Sequence, residues 1–170
     1  AACAETETVI CVHTGSAGTL PESAPDAPKD VTSALFGAGY SLTTTVDWLY
    51  SRYAVKHPNL KVIISEGSIG WVPSLLDRLD HNYRKQGDRR GVWTHSDLSA
   101  AEVLQRNFWF CLVDEPSAMV QVDRIGVDNI CFETDFPHAD SSWPDSQQVA
   151  DKHFASMPAD QVRKMTWENA

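Results

Sequence analysis

Four short runs of consecutive apolar residues, separated by stretches long enough for a helix, constrain the fold of this 170-residue chain more than any other feature. They are residues 9–13 (VICVH), 61–65 (KVIIS), 107–113 (NFWFCLV) and 129–134 (NICFET), each rich in β-branched or aromatic side chains. Because they do not alternate polar with apolar positions, they read as strands of a parallel sheet covered on both faces. Helical spacing falls between them, at residues 43–53, halted by His57-Pro58-Asn59, and at 72–86, where Leu75, Leu76 and Leu79 lie opposite Asp77, Arg78 and Asp80. Shorter helices are expected at 99–105, 116–124, 145–157 and 158–166, with N-cap residues supplied before the first two by the segments starting at Ser96 and Asp114. Residues 14–40, with four glycines, three prolines and no periodicity, read as a long loop that is either a functional lid or poorly ordered. Strand, loop and helix repeated in this way predict an α/β fold without an internal domain boundary, either a doubly wound sheet or half of an eight-stranded barrel. In both, chemistry gathers at the C-terminal ends of the strands.

Composition narrows the function. With 42% apolar residues the chain can bury a core, and no run approaches the roughly 18 apolar residues that a membrane helix needs. A formal charge of -9 argues against nucleic acid as a partner, since phosphate binding needs clustered cations. The basic group Arg84, Lys85, Arg89 and Arg90 is diluted by Asp88 and reads as a solvated helix end. Cys3, Cys11, Cys111 and Cys131 show no CxxC spacing, and the last three sit inside apolar runs. They are expected to be buried free thiols, which suits the cytoplasm and disfavours both a disulfide scaffold and a zinc-thiolate site.

Polar residues collect where the runs end: His13 after the first, Glu66 after the second, Asp114 after the third, Glu133 and Asp135 at the fourth. An imidazole and carboxylates converging from different strands can form part of a zinc, manganese or iron site, although a catalytic centre takes about three protein ligands and an open position. Each residue also has a plainer reading. His13 could be a loop or core histidine, Glu66-Gly67 a turn, Asp114 the cap of the next helix, and Asp135 a turn residue ahead of Phe136-Pro137. His138 and Asp140 could be ordinary loop residues, and Trp71, Phe136 and Trp143 packing residues or the walls of a binding site.

The segments CVHTGS (residues 11–16), SEGSIGWVPSLLDRLD (65–80), RNFWFC (106–111), RIGVDNICFETDFPHADSSWPDS (124–146) and WENA (167–170) resemble the amidohydrolase-related family, in its branch of aminocarboxymuconate-semialdehyde and aromatic-acid decarboxylases. The resemblance implies a (β/α)8 barrel, of which this chain carries about the last four βα units, so that residues 1–170 are the C-terminal portion of a single barrel domain and the N-terminal half is absent. It implies one divalent metal, zinc first with manganese or iron as alternatives, held by His13 and Asp135, with Asp135 also moving a proton. The family's His-x-His ligand pair does not occur here, and Glu66 stands where many relatives carry a histidine. The implied activity is non-oxidative decarboxylation of an aromatic or ring-derived carboxylic acid. Asp135 and Glu66 would be its catalytic residues, His138 and Trp143 its substrate contacts, and a small carboxylate its ligand. Metal-dependent hydrolysis of an amide, ester or lactone is the alternative within enzymes, and a catalytically silent half-barrel or interaction module is the alternative outside them. Unpaired edge strands would also favour a homo-oligomer.

Overall fold

The structure is a computed structural model and describes residues 1–13, 23–86, 93 and 96–170. Within them the four apolar runs form one parallel sheet in chain order: β1 (Ile10–His13), β2 (Val62–Ser65), β3 (Phe108–Leu112) and β4 (Ile130–Phe132). Helices α1 (Ala2–Glu5), α2 (Asp30–Tyr50), α3 (Tyr53–Lys56), α4 (Val72–Gln86), α5 (Ala100–Asn107), α6 (Val122–Ile125), α7 (Ser146–Phe154) and α8 (Ala159–Arg163) complete the α/β architecture. No helix among the described residues is long and apolar enough to cross a membrane.

The sheet has one sealed face. Val62, Ile64, Phe108, Phe110, Leu112 and Ile130 alternate along their strands and are at most 1% exposed, packed with Leu49, Leu76, Leu104 and Ile125 of the helices. On the other face lie Cys11, His13, Ile63, Ser65 and Trp109, all exposed or half-buried, with the buried Cys111 and Cys131 side by side in the register. Uniformly apolar runs therefore do not mean two covered faces here, and Cys11 is exposed, contrary to expectation. In a closed barrel this second face points to the interior, where side-chain layers from all the strands fill the space. All four cysteines are free thiols.

Two helical expectations change. Residues 30–40 are not loop: α2 runs 21 residues from Asp30, in spite of Gly37 and Gly39, each of which costs a helix about 1 kcal/mol relative to alanine. Packing overrides that cost. A Cβ on Gly37 would stand 3.1 Å from the Glu66 carbonyl oxygen and 3.2 Å from Ser68 Oγ, so the glycine lets α2 sit directly on the loop that follows β2. Residues 14–22 of the expected loop, and Arg89 and Arg90 of the basic group, lie outside the described residues. The helix expected at 116–124 is broken into a 3-10 turn at Met119–Gln121 and the four-residue α6. By contrast α4 buries Leu75, Leu76 and Leu79 as its spacing predicts. At α5, Ser99 and Glu102 form a reciprocal capping box, with Ser99 N–H donating to Glu102 Oε2 at 2.7 Å and Glu102 N–H to Ser99 Oγ at 3.2 Å.

A recurring device ties together the edge at which the strands begin. The Asn107 amide donates to the carbonyls of Pro58 (3.0 Å) and Leu60 (2.6 Å), bridging the entries of β3 and β2. Asn129 does the same to Gln105 (2.6 Å) and Phe108 (2.9 Å), and Asn169 to Val127 and Ile130 (2.7 Å each). Each amide donates to two carbonyls around the turn into a strand.

Asn107 is fully buried, so Asn107→Ala strands both carbonyls and is expected to lower the unfolding free energy by about 2–4 kcal/mol. Asn107→Asp, which has the shape but no donor, should lose at least as much in urea denaturation. An aspartate variant as stable as the native chain would show that the amide bonds are not what holds this edge.

Candidate metal centre

Parallel pairing brings the exits of the strands to the opposite edge of the sheet, where His13 closes β1, Glu66 follows β2 and Asp135 follows β4. Glu66 and Asp135 both adopt left-handed backbone conformations, with φ of 50° and 56°, as does Ser68 at 60°. Such conformations are uncommon for residues other than glycine and persist where the surroundings over-determine them, frequently at functional sites.

The side chains converge. His13 Nε2 lies 2.7 Å from Glu66 Oε1, Glu66 shares a hydrogen bond with Asp135, and His138 Nδ1 lies 2.8 Å from Asp135 Oδ2. One ligand atom from each of Glu66, Asp135 and His138 falls within 4.8 Å of the others. The two carboxylates are recessed, with side chains 14% and 13% exposed, while the imidazoles of His13 and His138 stand at the rim, 52% and 57% exposed. Burial lifts the Glu66 carboxyl above its ordinary value, the hydrogen bond with Asp135 lifts it further, and the pull of His13 in the opposite direction does not cancel them.

Two carboxylates in contact require a proton or a cation between them. Glu66, Asp135 and His138 form a donor group that fits a divalent metal ion, and His13 stands against Glu66 beside it. The thiols on the same sheet face do not compete. Burial and the nearby Glu133 raise Cys111 far above the usual thiol value, and burial pushes Cys131 up to about 11, so neither supplies the thiolate that a metal binds.

A cleft of about 300 Å³ opens over the two carboxylates, walled on one side by Phe36, Gly37 and other residues of α2 and on the other by Glu115 and Asp140. A neighbouring cavity shares Ser33, Phe36 and Asp140 with it and adds Lys29 and His138. Of the residues singled out from sequence, His13, Glu66, Asp135 and His138 are brought together. Trp143 is not among them: it is 62% exposed and packs edge to face on Phe136, with ring centroids 5.2 Å apart. Trp71 packs on Phe110 and donates from Nε1 to the Gly67 carbonyl at 2.7 Å. Asp114 does not cap a helix and lies 3.1 Å from the buried His153. The α2 wall and Glu115 were missed by the sequence reading. For the wall, the glycines at 37 and 39 were a usable signal, since glycine marks close backbone approach as well as loop.

Comparison with known proteins places the chain in a family and supports its fold. A protein-family model described as Amidohydrolase matches residues 1–170. No curated protein gives a match. Among solved structures the chain is similar to an amidohydrolase from Mycobacterium avium subsp. paratuberculosis K-10, with a TM-score of 0.81 at 22% identity over 99% of this chain and 43% of that one. It is similar to 5-carboxyvanillate decarboxylase from Sphingomonas paucimobilis (TM-score 0.69, 20% identity, 98% of this chain and 49% of that one). A third is a dihydroxybenzoic acid decarboxylase from Polaromonas sp. JS666, solved with bound manganese and the inhibitor 2-nitroresorcinol (TM-score 0.64, 18% identity, 98% and 49%). The chain thus spans about half the length of each, and at these identities the likeness establishes the fold.

The raised Glu66 carboxyl makes a signed prediction for the metal-free chain. Its contribution to stability is fully present below the ordinary value of 4.5 and is lost as pH rises through the higher folded-state value. Glu66→Gln should remove that part of the pH dependence. In a side-chain carbon NMR titration, Asp135→Asn should move the Glu66 midpoint down, because Asp135 contributes upward shifts. An unmoved midpoint would show that the two carboxyls do not interact.

Proposed function

From the membership of this chain in the amidohydrolase family, whose model matches residues 1–170, we propose that it is part of a metal-dependent enzyme that decarboxylates an aromatic or ring-derived carboxylic acid without oxidation. The observation that carries the proposal is the meeting of Glu66, Asp135 and His138, with His13 on Glu66, at the mouth of a cleft sized for a single ring. Residues 1–170 would supply the last four βα units of a (β/α)8 barrel, with further ligands from other units.

His13 and Asp135 would hold the metal from opposite strands, with Glu66 and His138 within reach of the same ion. When bound, a zinc, manganese or iron ion would supply positive charge that orients the substrate carboxylate and its neighbouring oxygen. Asp135 would deliver the proton. As the bond between the ring carbon and the carboxylate breaks, its electron pair stays on the carbon, carbon dioxide leaves, and Asp135 protonates that carbon. Glu66, whose carboxyl is biased towards its protonated form, resupplies Asp135 across their hydrogen bond. His138 faces the adjoining cavity and would touch the substrate. Hydrolysis is the second reading, favoured by the description of the Mycobacterium avium relative as an amidohydrolase, and in it Asp135 would take a proton from water. The proposal includes self-association, supported by an apolar groove beside β4 lined by Phe132, Phe154, Met157 and Val162.

Native mass spectrometry after incubation with zinc or manganese reports assembly and metal uptake together. One metal per chain is expected, lost in His13→Ala. Carbon dioxide release from a panel of hydroxybenzoates should fall by roughly 100-fold or more in Asp135→Asn. Metal uptake with ester or lactone cleavage and no carbon dioxide would favour hydrolysis instead, and absence of metal from the native chain would reject the metal centre for residues 1–170.

A further inference from the structure

We infer that Glu133, a carboxylate the proposed chemistry does not use, is the positioning residue that fixes Glu66, and that Glu115 secures the far end of the same loop. The loop between β2 and α4 contains two non-glycine residues in the left-handed region, Glu66 and Ser68, so its shape must be imposed from outside. Glu133 grips its start. The Ser65 hydroxyl donates to Glu133 Oε1 at 2.6 Å, and Glu66 N–H donates to Oε2 at 2.9 Å. Glu115 takes its end, accepting from Ile69 N–H at 2.9 Å and from Gly70 N–H at 3.0 Å. Between these grips Gly67 is pressed into the core, where even a Cβ would come within 2.4 Å of Ile64 Cγ2.

The arrangement makes the end of β4 address Glu66 twice. Glu133 holds its backbone and Asp135, two residues on, holds its carboxyl. With these donors on its oxygens Glu133 is committed to the loop, and it lies outside the ligand group of Glu66, Asp135 and His138. Its consequence for metal affinity rests on the metal-dependent reading of the site, whereas its consequence for the Glu66 backbone does not.

The test compares Glu133→Ala with Glu133→Gln in the purified chain, by zinc competition against a chromophoric chelator and by amide hydrogen exchange at Glu66. Glutamine can restore the geometry: its oxygen accepts Glu66 N–H, and its NH2 donates to a Ser65 hydroxyl turned to accept. Alanine cannot. We expect zinc affinity to fall roughly 10- to 100-fold in Glu133→Ala, with loss of protection at the Glu66 amide, and to recover to within a few-fold of native in Glu133→Gln. Glu115→Ala should expose the amides of Ile69 and Gly70 while leaving that of Glu66 protected. Native zinc affinity and native Glu66 protection in Glu133→Ala would overturn the inference. If the native chain takes up no zinc, the metal reading falls and the Glu66 amide alone decides: undiminished protection in Glu133→Ala overturns the inference, and lost protection supports it. Should Glu133→Ala fail to fold, Glu133→Leu fills the space without an acceptor for Glu66 N–H, and native Glu66 protection in that variant overturns the inference equally.

Discussion

Parallel strand pairing is the constraint from which the rest of this molecule follows, because it places every strand entry on one edge of the sheet and every exit on the other. Residues distant in sequence become neighbours without any long-range design beyond the register: His13 and Glu66 are 53 positions apart and 2.7 Å from contact to contact. The two edges carry opposite kinds of unpaired backbone. Where a helix or turn feeds a strand, carbonyls are left over, and asparagine amides take them, buried at Asn107 and Asn129 and half-buried at Asn169. Where β2 leads into α4, N–H groups are left over, and carboxylates take them at Glu115 and Glu133. Acidic side chains therefore gather at the exit edge partly for structural reasons, and that same concentration suits the edge to a cation.

The strands, the apolar face of α4 and the capping box of α5 were legible because each is a local pattern: runs of β-branched and aromatic residues, leucines at helical spacing, and Ser99 three positions before Glu102. The choice between a two-faced and a one-faced sheet was not legible. Ile63 and Trp109 are as apolar as Ile64 and Phe110, and only the distribution of helices decides that the first pair is half-buried and the second sealed. The first turns of α2 were hidden for a related reason. Glycine lowers helix propensity wherever it occurs, and at Gly37 it is tolerated because another backbone segment lies against it, a fact that no window of sequence contains.

At the site, the strand-end position of His13, Glu66 and Asp135 could be read from the pattern of runs, and a resemblance to a family gave the first and last their metal-ligand reading. The joining of Glu66 to both His13 and Asp135 could not be foreseen, since it depends on left-handed turns that bring these side chains together. Trp143 shows the converse. Its place soon after Asp135 suggested a substrate wall, but the chain folds back there so that its ring covers Phe136 instead of the carboxylates.

Hydrogen-bond satisfaction separates the acids of this edge into two kinds more sharply than sequence position does. Glu115 and Glu133 each accept backbone N–H groups from the loop after β2, so ionisation there is used within the fold and any exchange of partner would loosen the loop. Glu66 and Asp135 meet each other. Among the described residues their other side-chain partners are imidazoles that are half exposed, so a change of proton or the arrival of a cation alters the contact between them without unmaking the backbone beneath. Chemistry needs groups that can change state at low structural cost, and rigidity needs groups that cannot. Alternating the two kinds along β4, at Glu133 and then Asp135, allows one strand end to anchor Glu66 through its peptide while leaving the carboxyl of the same residue free to trade protons.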